Sequence, residues 1–205
     1  MAIVINGSGT VTGISVGGLP DGIVDAGTLA TDSVTAAKLK DDAIATGDLP
    51  AGSVVQVVHT QDGSHATGTT AMVLDDSIPT ITEGTEFMTL DITPTNALNI
   101  LRIEVTSNLN GNGSGDNNII NGALFVGTTT AALAACFINA DSVANRVNST
   151  GNLIHEVVAG GTSALTFRFR AGLVSSGTIA FNGHSDARTF GGVMASTMTI
   201  TEIAV

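Results

Sequence analysis

The chain has 205 residues and a net charge of −11, with 12% charged and 3% aromatic residues. Its 7 lysines and arginines are scattered and cannot form a basic stripe, which excludes nucleic-acid binding. Cys136 is the single cysteine, which excludes a disulfide scaffold. The longest apolar run, Ala131–Ile138, is far shorter than the roughly 18 residues of a spanning helix, so we expect no membrane insertion.

The N-terminus lacks the features of an export signal. Met1–Ile5 is apolar but short, has no basic residue before it, and stops at Asn6-Gly7. We therefore expect the protein to be made in the cytoplasm without a signal peptide.

A ten-residue repeat occupies the segment 21–54, which is built mainly from small residues. Its apolar residues form two series with a spacing of ten, and together they recur every five positions. This spacing fits neither a continuous helix nor a continuous strand, so each unit is predicted to join a short extended piece to one helical turn. The predicted packing residues are Val24, Leu29, Val34, Leu39, Ile44, Leu49 and Val54.

Each repeat unit leaves an apolar edge that must pack against a neighbouring unit, and a chain with three units provides few such neighbours. The repeat therefore predicts a stalk in which several chains wind together with their valines, isoleucines and leucines inward. A flexible linker is the alternative, because the composition of small residues is also typical of linkers.

The second part of the chain, 55–205, is predicted to be an antiparallel β-sandwich, most simply a jelly roll. All seven phenylalanines lie at or after Phe87, so the main core is placed in this part. Period-two alternation and Gly- and Asn-rich turns predict about nine short strands. Besides the alternating stretches around 88–92, 101–105 and 165–169, the candidates are Val54–Val58, Thr70–Leu74, Ile119–Val126, Ile154–Ala159, Thr178–Asn182 and Thr197–Ala204.

Two details of this part suggest contacts between subunits. Ala131–Ile138 has no polar face, which predicts a strand packed on the core on one side and on a neighbouring subunit on the other; a buried helix is the alternative. In a regular strand, Glu202 would lie on the same face as Met198 and Ile200. This predicts either a bulge or a polar residue at a subunit interface.

Several segments resemble fibre proteins of marine bacteriophages. The unit Ser33-Val34-Thr35-Ala36-Ala37-Lys38-Leu39 is similar to the decapeptide repeats of tail-fibre and head-fibre proteins, and Ile5–Ile14 followed by Gly17–Gly22 is similar to their beginning. The run from Phe181 through Gly191-Gly192 to Ile203 is similar to the end of their globular tips.

The resemblance implies a homotrimeric virion protein with a jelly-roll tip, mounted on another virion protein through residues 1–20. It favours a tail fibre that attaches to a host receptor. A head fibre or capsid decoration protein is the main alternative, and a bacterial surface adhesin is the third.

The sequence contains no convincing catalytic, metal or cofactor motif, so we expect neither enzymatic activity nor a cofactor. Gly7–Gly13 follows an apolar stretch but does not open a helix, as a dinucleotide-binding turn must. The four histidines lack metal-ligand spacing, and Cys136 is expected to be a buried, inert thiol.

The glycine- and asparagine-rich stretch Gly111–Asn118 is predicted to be a mobile hairpin loop. It carries one carboxylate, too few for a typical calcium site. If it lies at the distal end of the tip, it is the best candidate for touching a host glycan or protein. The residues proposed for this contact are Asn112, Ser114, Asp116 and Asn117.

Overall fold

The computed structural model describes residues 31, 34–35, 39, 44–113, 118–139, 147–175 and 177–205. The chain divides into two units, Met1–Ala45 and Thr46–Val205. Val24 and Leu29 of the predicted packing series, and the predicted anchor 1–20, lie outside the described residues. The described members Val34, Leu39 and Ile44 are exposed, and Leu49 is partly buried.

Antiparallel strands make up most of the second unit, which begins with a 3₁₀ turn at Thr46–Asp48. Their bounds are β1 Val54–Asp62, β2 Ala66–Gly68, β3 Thr85–Ile92, β4 Ile100–Asn112, β5 Ile120–Val126, β6 Ala134–Asn139, β7 Val147–Val158, β8 Leu165–Leu173, β9 Thr178–Phe181, β10 Gly183–His184, β11 Ala187–Arg188 and β12 Ser196–Ile203. A second 3₁₀ turn at Phe190–Gly192 precedes β12.

The first sheet is organised around β4. One side of β4 pairs with β7 along its whole length. The other side pairs first with β12 and then, from Leu109 onward, with β9. β1 flanks β12 and β2 flanks β9. The sheet therefore has four strand positions, two of which are each filled by two successive short strands.

The second sheet has the order β3-β8-β5-β6. The two sheets together have eight strand positions if β1 and β2 count as one position and β9 and β12 as another. In chain order, the first position then pairs with the eighth, β3 with β8, β4 with β7, and β5 with β6. This is the nested pairing of a jelly roll. The predicted antiparallel β-sandwich is confirmed.

The core lies between the inward faces of the two sheets. β4 contributes every second residue from Leu101 to Leu109, and β8 contributes Phe167 and Phe169. Phe87 stacks on Phe181 with ring centroids 5.1 Å apart. Alternation produces this core because successive side chains of a strand point to opposite faces.

The prediction of a strand at Thr70–Leu74 is wrong, because this segment is a loop that covers the outer face of the second sheet. Met72 is buried there beside Phe125. Its backbone is held from two sides: the Met72 N–H donates to the Leu173 carbonyl at 2.8 Å, and the Asn121 side-chain amide donates to the Met72 carbonyl at 2.9 Å.

The buried-helix alternative for Ala131–Ile138 is also wrong, since most of this run forms β6. Ala134, Cys136 and Ile138 face the core, whereas Ala135 and Phe137 are exposed in the single chain. A neighbouring subunit on that outer side stays a prediction.

Neither explanation offered for Glu202 describes it fully. β12 pairs regularly with β4, and the irregularity lies in β1, between Val54 and Gln56. Glu202 points inward and is completely buried, so the prediction that it faces a subunit interface is wrong.

The close approach of the covering loop to β8 depends on Gly172. A Cβ at this position would lie 2.6 Å from the Thr70 carbonyl oxygen and 2.9 Å from the Met72 nitrogen, both backbone atoms. We expect Gly172→Ala to displace the loop and to lower the free energy of unfolding by about 1–3 kcal/mol, the usual cost of overpacking. Urea unfolding followed by far-UV circular dichroism measures this change.

Gly161→Ala is the matched control, since no atom lies within 4 Å of a Cβ there. It should unfold at the same urea concentration as the parent chain. Equal midpoints for both variants would show that the loop does not depend on Gly172.

Candidate functional site

The sandwich has two ends that differ in chemistry. We call the end at Ile100 basal, because Ile100 pairs with Ile203, which pairs with Val54, the first residue of β1. The distal end is at Asn112, where β4 finishes opposite the start of β9 at Thr178. Twelve residues of strand separate the two ends of β4, a distance of about 40 Å.

The predicted receptor loop begins at the distal end. Asn112 is the last residue of β4 and is partly exposed. Ser114, Asp116 and Asn117 lie outside the described residues. Asn118, which the sequence analysis did not single out, is buried, and its side-chain oxygen accepts a hydrogen bond of 2.6 Å from the Gly113 N–H. This bond joins the two sides of the loop at its base.

A row of asparagines continues from the loop toward the middle of the first sheet. The Asn110 side-chain amide donates to the Asn148 side-chain oxygen at 3.0 Å, and the Asn110 oxygen accepts from the Ser185 N–H at 2.9 Å. Two pairs further along the same two strands, the Thr150 hydroxyl donates to the Asn108 oxygen at 2.9 Å. Amide and hydroxyl groups of this kind offer both donors and acceptors to a ligand.

A small cavity of about 140 Å³ opens beside these residues. We call it the amide recess, and it is lined by Asn108, Leu109, Asn148, Ser149, Thr150 and Met194. It contains no charged side chain, so it is suited to hydrogen bonding with a neutral, hydroxyl-rich ligand.

Asn182 directly follows β9, where the chain leaves the first sheet before it returns as β12. It is buried with φ = 51°, a left-handed conformation that asparagine tolerates better than most residues. Its amide donates to the Asp62 carbonyl at 2.6 Å, and its oxygen accepts from the Ser196 hydroxyl at 2.7 Å. Its side chain thereby joins the end of β1 to the start of β12.

Three of the four histidines are engaged in separate hydrogen bonds. His59 bonds the Thr199 hydroxyl at 2.9 Å, His65 bonds the Ser185 carbonyl at 3.2 Å, and His184 bonds the Ser185 hydroxyl at 3.3 Å. Within the described ranges, no group of three or more His, Cys, Asp or Glu side chains could hold a metal ion.

Cys136 packs against the core and also borders a cavity of mixed apolar and polar lining between β6 and the covering loop. The cavity has a volume of about 190 Å³, and Met72, Leu74 and Phe137 are among its lining residues. Burial raises the pKa of the Cys136 thiol, so it is predominantly protonated and weakly nucleophilic at neutral pH.

Glu202 is the one fully buried carboxylate in the described part of the second unit. One oxygen accepts from the Thr95 N–H and the Thr95 hydroxyl, both at 2.8 Å, and from the Asn99 amide at 2.7 Å. The other oxygen accepts from the Gln56 amide at 2.6 Å. Burial by itself raises the pKa of Glu202, but the hydrogen bonds from Gln56, Asn99 and Thr95 outweigh it and hold the pKa below its ordinary value.

No family model and no curated protein matches the chain. Partial likeness to solved structures includes the infectious bursal disease virus VP2 subviral particle, with a TM-score of 0.31 and 10% identity over 73% of this chain and 37% of that chain. The Gx strain of the same virus gives a TM-score of 0.28 and 12% identity over 74% and 40% of the two chains. The enzymatically active domain of tailspike protein 4 from bacteriophage CBA120 gives a TM-score of 0.26 and 14% identity. The likeness covers 64% of this chain and 19% of that chain.

The chain thus spans at most 40% of the length of each of these structures. TM-scores this low assign neither a fold family nor a function. Among the described residues, the helical segments are too short to be membrane spans.

The Glu202 carboxylate is expected to make the stability of the second unit dependent on pH. Because its folded pKa lies below the ordinary value of 4.5, its contribution is fully present above that pH and is lost as the pH falls through the folded pKa. We expect Glu202→Gln to destabilise the protein by about 1–3 kcal/mol at pH 7, since the neutral amide is a poorer acceptor for the five donor groups that bond this carboxylate. The difference from the parent chain should shrink as the pH is lowered from 5 toward about 3.

Urea unfolding at a series of pH values measures this difference. Glu156→Gln is the control, because Glu156 is exposed and its ion pair with Arg102 is long, at 3.8 Å; its effect should stay within about 0.5 kcal/mol. A constant difference between the Glu202 variant and the parent across the whole series would contradict the role of the ionised carboxylate.

Proposed function

We propose that the chain is a fibre protein of a bacteriophage particle, a homotrimer whose second unit is the tip. Residues 1–20 mount the fibre on another virion protein, and the ten-residue repeat forms its stalk. The observation that carries this proposal is the exposure of the repeat's apolar side chains: Val34, Leu39 and Ile44 are 51%, 45% and 58% exposed in the single chain.

Exposed apolar residues at a fixed spacing favour association over a flexible linker. A linker gains nothing from keeping valine, isoleucine and leucine in register, whereas chains that wind together bury them. The second unit has its own core between two sheets, and all of the residues of that core lie after the repeat. A separate tip carried on a stalk of several chains is therefore consistent with both units.

Host attachment is the role that best fits the distal end. The amide recess provides neutral hydrogen-bonding groups, and Asn112, where the receptor loop begins, lies about 40 Å along β4 from the basal end. With a net charge of −11, the chain is not drawn to an anionic cell envelope, so contact must depend on specific hydrogen bonds to a host glycan or protein. Three weak tip contacts on one fibre reinforce one another through their high effective concentration.

A head fibre or capsid decoration protein is the second candidate function. The same repeat and tip would serve it, but adsorption to the host would then not depend on the receptor loop. A bacterial surface adhesin is a third candidate, and it would be absent from phage particles.

One experiment separates these roles. The receptor-loop variant Asp116→Ala/Asn117→Ala is introduced into the phage that encodes the chain, and purified particles are analysed by protein mass spectrometry and by adsorption rate. We expect the variant chain in the particles together with an adsorption rate at least tenfold lower. The variant removes a carboxylate and an amide that would bond the receptor.

The control pair Gln61→Ala/Asn152→Ala removes exposed polar side chains from the outer face of the first sheet. Its adsorption should equal that of the parent phage. Unchanged adsorption by particles containing the loop variant would overturn the receptor role and favour the head fibre. Absence of the parent chain from purified particles would overturn the virion assignment.

A further inference from the structure

A row of four apolar side chains crosses the outer face of the first sheet at its basal end. Val54 pairs with Ile203, Ile203 pairs with Ile100, and Ile100 pairs with Val158. We call these residues the basal row. Because paired residues on neighbouring strands lie about 5 Å apart on the same face, the row is continuous over four strands, a width of about 14 Å.

The basal row faces away from the core. In β12 and β4 the inward residues next to the row are Glu202 and Leu101, both completely buried. Ile203 and Ile100 therefore point outward and are only partly covered. The two ends of the row are open: Val54 is 57% exposed and Val158 is 52% exposed.

The rest of this outer face is mostly polar. The next row of paired residues is Val57, Thr201, Arg102 and Glu156, and the following one is His59, Thr199, Glu104 and Ile154. Arg102 forms ion pairs with Glu104 and Glu156 at 3.1 and 3.8 Å, as expected of a face in water. A complete row of β-branched apolar residues is therefore specific to the basal end.

Further exposed apolar residues lie beside the row along the chain. Leu98, two residues before Ile100, is 68% exposed, and Val205, two residues after Ile203, is 71% exposed. Contiguous apolar surface on a soluble protein usually marks an interaction site.

The chain itself indicates what covers this surface. Val54 is both the first member of the basal row and the last member of the ten-residue series Val24, Val34, Ile44 and Val54. The apolar series thus runs without a break in register into the sheet of the second unit. If other copies of the chain cover this apolar series, the same copies can also cover the basal row, because Val54 belongs to both.

We propose that the basal row is a contact surface between copies of this chain, in which the row of one copy packs against the rows of the others. The inference rests on the proposed fibre assembly and locates its first contact within the tip. The row then continues the stalk's apolar contacts into the tip and holds the three tips together at their basal ends. The receptor loops remain free at the distal ends.

The test replaces the two open members of the row by threonine, in the variant Val54→Thr/Val158→Thr of the full chain. Threonine has nearly the shape of valine and is also favoured in strands, so the fold should be retained. We expect the concentration at which the oligomer half-dissociates to rise at least tenfold, measured by mass photometry over a dilution series. Far-UV circular dichroism verifies that the strands are intact.

Ile154→Thr is the matched control, since Ile154 is a 58% exposed apolar residue on the outer face of β7 but lies outside the row. It should leave the dilution series unchanged. If the double variant dissociates at the parent's concentration, or no more readily than the control, the basal row is not a contact surface even though the fibre assembly stands. If the parent chain is a monomer at micromolar concentration, both proposals fail.

Discussion

The sandwich depends on the central position of β4. This strand pairs with β7 on one side and with both β12 and β9 on the other, so three other strands are aligned by its backbone. Its inward residues Leu101, Ile103 and Val105 are buried against the second sheet. Because β9 and β12 share one side of β4, the chain must leave the sheet between them. At this point the Asn182 side chain bonds the Asp62 carbonyl and the Ser196 hydroxyl. The amide recess and the hairpin of β10 and β11 result from this interruption.

The sequence predicted the long alternating strands well and the irregular parts poorly. Alternation is a direct consequence of one buried face, so β3, β4, β8 and β12 could be predicted from their residues. The segment around Met72 has a similar pattern but is a loop, because the Asn121 side chain and the Leu173 carbonyl bind its backbone in place of a strand. β6 was ambiguous because an alanine-rich apolar run also fits a buried helix. Glu202 was noticed as an exception, but its donors come from residues about 100 or more positions away.

The start of the receptor loop was predictable, whereas its role in binding stays a prediction. A Gly- and Asn-rich stretch between apolar strands indicates a loop, and Asn112 is the last residue of β4 before it. The amide recess could not be predicted, since it depends on how β4, β7 and the segment before β12 meet. The basal row was hidden for the same reason. Ile100, Val158 and Ile203 are unremarkable in their own strands, and Val54 was expected only as a packing residue of the repeat. The four residues form a surface only once the register is known. The second unit thus has a polar recess near one end of β4 and an apolar row at the other.

The central claim is that the apolar residues left exposed in one chain are covered by other copies of it. The molar mass of the full parent chain in dilute solution, measured by light scattering coupled to size-exclusion chromatography, tests this claim most directly. The account predicts three times the chain mass of 20.5 kDa, maintained at micromolar concentration. A stable species of 20.5 kDa at that concentration would contradict it.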